Sequence, residues 1–182
     1  MIPVVFDVGL IADSFETNSE VLITKEEKKE LGLDDIDRLI NEVEKAEEDG
    51  NNEQAIEILE KILVIEQREL GPEHSEVGGT LAWQGSIYRQ QGLYEKAEDL
   101  LRRSLAIHEK ALGVTHIGTA ETLFKLGTLY HDQELYEKAE DFYLKALAIE
   151  EKELGVGHIN TAQTFYSLGS LYHDQEFYEK AE

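Results

Sequence analysis

The 182-residue chain has no cysteine, two prolines, one tryptophan and one methionine. Without cysteine there is no disulfide framework, no thiol nucleophile and no thiolate zinc site, and a reducing, cytoplasmic location is the expectation. Two prolines leave no proline-rich linker. Basic residues are scarce, 17 Lys and Arg against 39 Asp and Glu, for a formal net charge of −22. Residues 1–70 carry −13 of it and residues 71–182 the remaining −9. Such a field repels nucleic-acid phosphates and anionic membrane surfaces and favours a basic protein or peptide partner, although solvated helix faces alone would give the same composition. No apolar run approaches the roughly 20 residues that cross a bilayer. The apolar start MIPVVFDVGLIADSF lacks the basic n-region of a secretory signal, and Asp7 interrupts the apolar stretch such a signal needs.

What is present is repetition. Shifted by 42 residues, the chain superposes Gly71, Gly113 and Gly155; His74, His116 and His158; Gly85, Gly127 and Gly169; and Tyr88, Tyr130 and Tyr172. Ala55, Ala97, Ala139 and Ala181 extend the register backwards by one unit. Between residues 113–140 and 155–182, 20 of 28 positions are identical.

Within a unit, Leu123, Leu126, Gly127 and Tyr130 fall on one face of a 3.6-residue helix. A break follows at Gly92, Glu134 or Glu176, and a second stripe runs through Tyr136, Ala139, Tyr143, Ala146 and Leu147 to Leu154-Gly155. Glycine there suits the left-handed position that closes a helix. Gly127 is expected where two backbones approach, with Ala139 as the small residue across from it and tyrosines filling the space around. A single helix pair cannot bury its own stripe, so each unit must lean on the next. The alternating pattern of a strand is missing from residues 25–182, which excludes a propeller of similar period.

Leu123-x-x-Leu126-Gly127-x-x-Tyr130, followed by Ala139-x-x-x-Tyr143, resembles the tetratricopeptide repeat signature. It recurs at Leu81, Gly85, Tyr88, Ala97 and Leu101, and again at Phe165, Leu168, Gly169, Tyr172 and Ala181; Leu39, Ala55, Leu59 and Leu63 form a degenerate first copy. The usual period is about 34 residues. The longer 42-residue form, with Leu-Gly-x-x-His between units, resembles the repeats of kinesin light chains and of multi-repeat bacterial proteins. The eight extra residues amount to about two helical turns. The family's closing proline survives only as Pro72.

The resemblance implies an all-α, right-handed superhelix of about three and a half helix-turn-helix units. Its repeats span about 34–75, 76–117, 118–159 and the partial unit 160–182. Ahead of them lie an irregular segment over 1–24 and a short helix and turn over 25–33, opened by the Thr24-x-x-Glu27 capping box. Asp7 in VVFDVG stands where a haloacid-dehalogenase-like phosphatase holds its nucleophile, but the second aspartate of that motif falls at Gly9 and no room remains for the phosphatase sheet. The last unit stops inside its second helix. Phe165, Leu168 and Tyr172 are thus expected to lack a complete partner, either because a longer array continues or because another chain completes the repeat. Monomer and self-association through this edge both follow.

In this family the first helix of each pair lines a concave groove that accepts a peptide or a partner's helix. Carried over by register, one unit contributes Ala82, Ser86, Arg89 and Gln90. The next contributes Glu121, Phe124, Thr128, His131 and Asp132, and the last Gln163, Tyr166, Ser170, His173 and Asp174. Asp37, Glu44, Glu47 and Glu48 would add an acidic end. Kinesin light chains are expected to offer a basic groove to acidic cargo; this groove departs from that, so cargo preference does not transfer.

The His131-Asp132 and His173-Asp174 doublets could line the groove or stand as exposed pairs; metal binding would need further ligands converging on them. His74, His116 and His158 read as turn residues that bond a helix end. Trp83, whose counterparts are Lys125 and Ser167, is expected to be exposed, as a binding anchor or lying on the adjacent helix. Glu150-Glu151 reads as a repeated surface pair. The sequence has no phosphate loop, nucleophile elbow or H-E-x-x-H motif. No cofactor or catalytic residue is expected. The function predicted is a non-enzymatic protein-interaction module, or alternatively a regulatory or assembly segment of a larger multidomain protein.

Overall fold

The computed structural model describes residues 31–179, without the side chains of residues 176–179. The irregular segment, the capping box and nearly all of the short helix predicted ahead of the repeats lie outside the described residues. After a 3-10 turn at Leu33–Asp35 come seven helices. They are α1 (Ile36–Glu48), α2 (Asn52–Glu69), α3 (Ser75–Gln90), α4 (Tyr94–Ala111), α5 (Ile117–Asp132), α6 (Tyr136–Glu153) and α7 (Ile159–Glu179). Consecutive helices pair as α1 with α2, α3 with α4 and α5 with α6, and each second helix also packs against the first helix of the next unit. The first helices α3, α5 and α7 touch one another in turn. This is a stack of helix-turn-helix units, all-α among the described residues, as the repeat register predicts.

Local signals set the helix ends. Gly71, Gly113 and Gly155 follow the long second helices with φ of +93°, +102° and +85°, a region open to glycine but strained for other residues. Three residues on, His74, His116 and His158 are N-caps. Each imidazole Nδ1 accepts a hydrogen bond from the amide two residues ahead, at Glu76 (3.3 Å), Gly118 (3.1 Å) and Asn160 (3.2 Å). Histidine thus does the work that Ser, Thr, Asp or Asn usually does at a helix start.

The glycines inside helices are packing residues. A Cβ on Gly127 would lie 2.6 Å from the Tyr143 ring, and one on Gly85 would lie 2.9 Å from the Leu101 side chain. Tyr130 is fully buried, with Ala139 and Tyr143 in the same core cluster. Its hydroxyl donates to Glu98 Oε1 (2.7 Å) and accepts from the Arg102 guanidinium (2.6 Å), tying α5 back to the unit before. Hydrogen bonding to Tyr130 and Arg102 holds the Glu98 carboxyl below its ordinary range.

Three expectations are corrected. The break predicted at Glu176 is not there: α7 runs unbroken from Ile159 to Glu179. Its counterpart, Glu134, does turn the chain, with φ of +61°, which costs a non-glycine residue about 1–2 kcal/mol. At Glu134 that cost is offset by α6 folding back on α5; among the described residues no second helix of the same unit folds back on α7. Leu168 is buried, because α6 covers it, while Phe165 and Tyr172 are exposed as expected. Glu150 is 2% exposed and belongs to the interior, not to a surface pair.

Candidate binding groove

The first helices α3, α5 and α7 carry the residues assigned to the groove, and two adjoining cavities open along them, one of about 420 Å³ between α3, α5 and α7 and one of about 210 Å³ between α5, α6 and α7. The larger is lined by Ser86, Arg89 and Gln90 from α3, Phe124 and Thr128 from α5, and Gln163 and Tyr166 from α7, among others. The smaller is lined by Glu121, Phe124, Lys125, Glu150, Asn160 and residues of α7 that include Gln163 and Thr164. Phe124, Lys125 and Gln163 border both.

Not every assigned position is free to bind. Ala82 is 4% exposed and sits in a core cluster, so it offers no surface to a partner. Ser86 Oγ donates to the Ala82 carbonyl (3.0 Å) and Thr128 Oγ1 to that of Phe124 (3.0 Å). These bonds fold both hydroxyls back onto their own helices, the usual habit of Ser and Thr inside a helix. Arg89 forms an ion pair with Asp132, and His131 Nε2 pairs with Asp174 Oδ2 at 3.0 Å. Each doublet is therefore split: its aspartate bonds a side chain of the preceding unit, Arg89 or His131, bridging neighbouring first helices. The contact with His131, seconded by His173 Nδ1 at 3.4 Å, holds the Asp174 carboxyl below its ordinary range. Gln90, Glu121, Gln163, Tyr166 and His173 are exposed, and Ser170 is half-buried. Among the described residues, Tyr166 is the barest of the Phe, Tyr and Trp side chains at 79% exposure.

Two side chains at equivalent places on the first helices carry more than the sequence suggested. Trp83 is half-buried rather than exposed, packed on the first unit's core with its indole N–H donating to Glu47 Oε2 (2.9 Å). That bond takes Glu47 out of the free acidic end predicted for the groove. One unit on, Lys125 reaches the same way, its ammonium 3.3 Å from Ser86 Oγ. Burial pushes the Lys125 amine below the ordinary lysine range, partly countered by Glu121.

Behind the groove floor, the second helices meet the next unit through a repeated polar position. Glu66 accepts from Thr80 Oγ1 at 2.8 Å. His108, one period later, bonds Thr122 Oγ1 through Nδ1 (2.9 Å) and the Ser75 carbonyl through Nε2 (3.1 Å). Glu150, one period later again, leaves Oε2 buried with no hydrogen-bond partner. The 42-residue register lines up 66, 108 and 150 against Thr80, Thr122 and Thr164, which is the signal a sequence reading could have used.

Among the described residues, no group of three or more His, Asp or Glu is placed to hold a metal ion, and no helix is long and apolar enough to cross a membrane. Matches to the tetratricopeptide repeat family cover residues 76–152 and 126–182. More than half of the chain lies inside those matches, and the chain belongs to the tetratricopeptide repeat family, whose stacked units are scaffolds for protein–protein interaction. No curated protein matches it.

Among solved structures it is similar to BtubC (BKLC) from P. vanneervenii, with 24% identity and a TM-score of 0.67, over 76% of this chain and 56% of that one. It is also similar to a provisionally assigned kinesin light chain of Podosopora anserina with nearly identical TPR-like repeats. There the identity is 22% and the TM-score 0.61, over 84% of this chain and 74% of that one. A single-residue variant of the latter gives 22% and 0.60, over 76% and 66%. At these identities the likeness concerns the fold. The chain spans little more than half the length of BtubC.

Proposed function

We propose that the chain binds a peptide or protein partner of basic character along the face made by α3, α5 and α7. The observation that carries this reading is the pair of adjoining cavities along that face, with Tyr166 standing bare at the edge of the larger. An exposed aromatic beside a cleft supplies a large rigid anchor at low entropic cost. Gln90 and Gln163 supply amide donors and acceptors that the fold does not consume. Arg89, His131, Asp132 and Asp174 hold adjacent units in register and shape the surface rather than serving as free contacts. The net charge of −22 draws a basic partner in and raises the rate of encounter.

A displayed peptide library selected on the chain tests the reading. The double variant Gln163→Ala/Tyr166→Ala serves as the counter-screen, and Leu144→Ser, an exposed apolar residue on second helix α6, as the control. Peptides retained by the chain and by Leu144→Ser but lost by the double variant support the groove. Peptides that ignore the double variant, or no selected peptides at all, remove it.

A further inference from the structure

We propose that the smaller cavity, between α5, α6 and α7, is an arginine-accepting subsite in which a partner's guanidinium meets the Glu150 carboxylate. The inference rests on the groove reading for its partner but on its own geometry for its chemistry. Glu150 is 2% exposed, and its Oε2 is the buried side-chain atom left without a partner among the described residues. A buried carboxylate oxygen with nothing to accept from is costly, and such groups are normally paired.

The repeat supplies an internal control. At the two equivalent positions, Glu66 has its Thr80 hydrogen bond and His108 uses both ring nitrogens. The third copy keeps a threonine contact, from Thr164, but leaves Glu150 Oε2 open, and it is the copy that lines a cavity reaching the groove. In the second unit, Gly78 leaves the room that the His108 ring fills, since a Cβ there would lie 2.6 Å from the imidazole. Its counterpart in the third unit is Ala120, fully buried.

The surroundings suit a guanidinium. Glu121, Asn160 and Gln163 place further acceptors around the cavity, and Phe124 offers an aromatic wall on which a planar cation stacks. Lys125 also borders it, but its ammonium is 3.3 Å from Ser86 Oγ. A volume of about 210 Å³ fits one long side chain and falls short of the roughly 300 Å³ at which drug-sized pockets begin. Burial raises the Glu150 carboxyl above its ordinary range, with the Thr164 hydrogen bond pulling the other way. An entering cation replaces the missing partner.

The test is an NMR titration of the isotope-labelled full chain with Nα-acetyl-arginine methylamide, its lysine analogue and its neutral citrulline isostere. The readouts are the Glu150 carboxyl carbon and the Asn160 and Gln163 side-chain amides. Saturable shifts are expected with the arginine probe, at least about tenfold tighter than with citrulline, as a hydrogen bond between charged groups requires. Glu150→Gln, which keeps the shape and the Thr164 contact, should weaken the arginine probe by about tenfold or more. Glu121→Gln, an exposed change that leaves the interior alone, should weaken it about two- to threefold.

Equal response to arginine and citrulline, absence of saturation, or an unchanged response in folded Glu150→Gln would overturn the proposal. Tighter binding of the lysine probe would overturn the assignment to arginine. The peptide selection separates the two readings: groove-dependent peptides without arginine keep the groove and remove the subsite, whereas a saturable arginine probe without groove-dependent peptides does the reverse.

Discussion

Residues 113–140 and 155–182 are nearly the same text, 20 identities in 28 positions, yet they do not make the same structure. In the first, Gly127 touches the Tyr143 ring, Tyr130 is fully buried, and the backbone reverses at Glu134. In the second, a Cβ on Gly169 would meet nothing within 4 Å, Tyr172 is 43% exposed, and the helix continues past Glu176. The contrast separates what local sequence does from what packing does. Leu-Gly-x-x-Tyr makes a helix with a small-residue notch either way. The turn after it needs a second helix filling the notch, because the left-handed residue at Glu134 has no glycine to lower its cost. Where that helix is not packed, the cheaper continuation is more helix.

The largest expected effect is at the tyrosines. Tyr130→Ala should cost about 3–5 kcal/mol in urea unfolding, as removal of a buried aromatic does. Tyr172→Ala should cost less than about 1 kcal/mol, since its ring is half bare and its hydroxyl bond to Glu140 Oε1 (2.6 Å) is exposed. Equal costs would break the comparison.

Unequal chemistry along the seams sharpens it. Burial raises the Glu66 carboxyl to about 7, with the Thr80 hydrogen bond opposing and Glu76 adding to the rise. The folded chain therefore holds a proton that the unfolded chain has released above the ordinary value of 4.5. Stability from this group falls as pH rises from about 4.5 through about 7. Glu66→Gln should match the parent near pH 4.5 and exceed it above pH 7, by at most about 3 kcal/mol. Thermal unfolding across that range checks the slope, and a constant difference would refute it.

Smaller still is the effect at the notch. Gly127→Ala forces a methyl against the Tyr143 ring and should destabilise by about 1–3 kcal/mol. Gly169→Ala has open space and should stabilise by about 0.5–1 kcal/mol, the gain of alanine over glycine inside a helix. Opposite signs in parallel denaturation curves are the expected outcome.

The sequence makes the unit legible because contacts inside a unit recur every 42 residues. The packing role of Gly127, the left-handed Gly113 and Gly155, and the histidine caps can be read from that register, although the side chain that meets Gly127 is Tyr143 and not the expected Ala139. Contacts between units resist the same reading. Trp83 and Lys125 hold equivalent places and both reach the preceding first helix, but one donates to Glu47 and the other to Ser86. Ala82 looks like a groove position by register and lies in the core, because a small residue on a first helix serves close packing as readily as a partner. Glu150 looks like half of a surface pair. Its burial shows only when 66, 108 and 150 are set against the threonines opposite, and no single unit contains that information. The helix through Glu176 was illegible for the complementary reason: identical residues carry no mark of whether a neighbour is present.

The most direct test supplies the neighbour. A copy of residues 141–159 fused after Glu182 continues the register with the helix that α6 provides one unit earlier. Backbone chemical shifts at Glu176 then report its conformation in the parent chain and in the fusion. Packing as the cause of the turn predicts right-handed helical shifts in the parent and left-handed shifts in the fusion, matching those at Glu134. An unbroken helix through Glu176 in the fusion would contradict it, and would place the origin of the turn in the few residues by which the two copies differ.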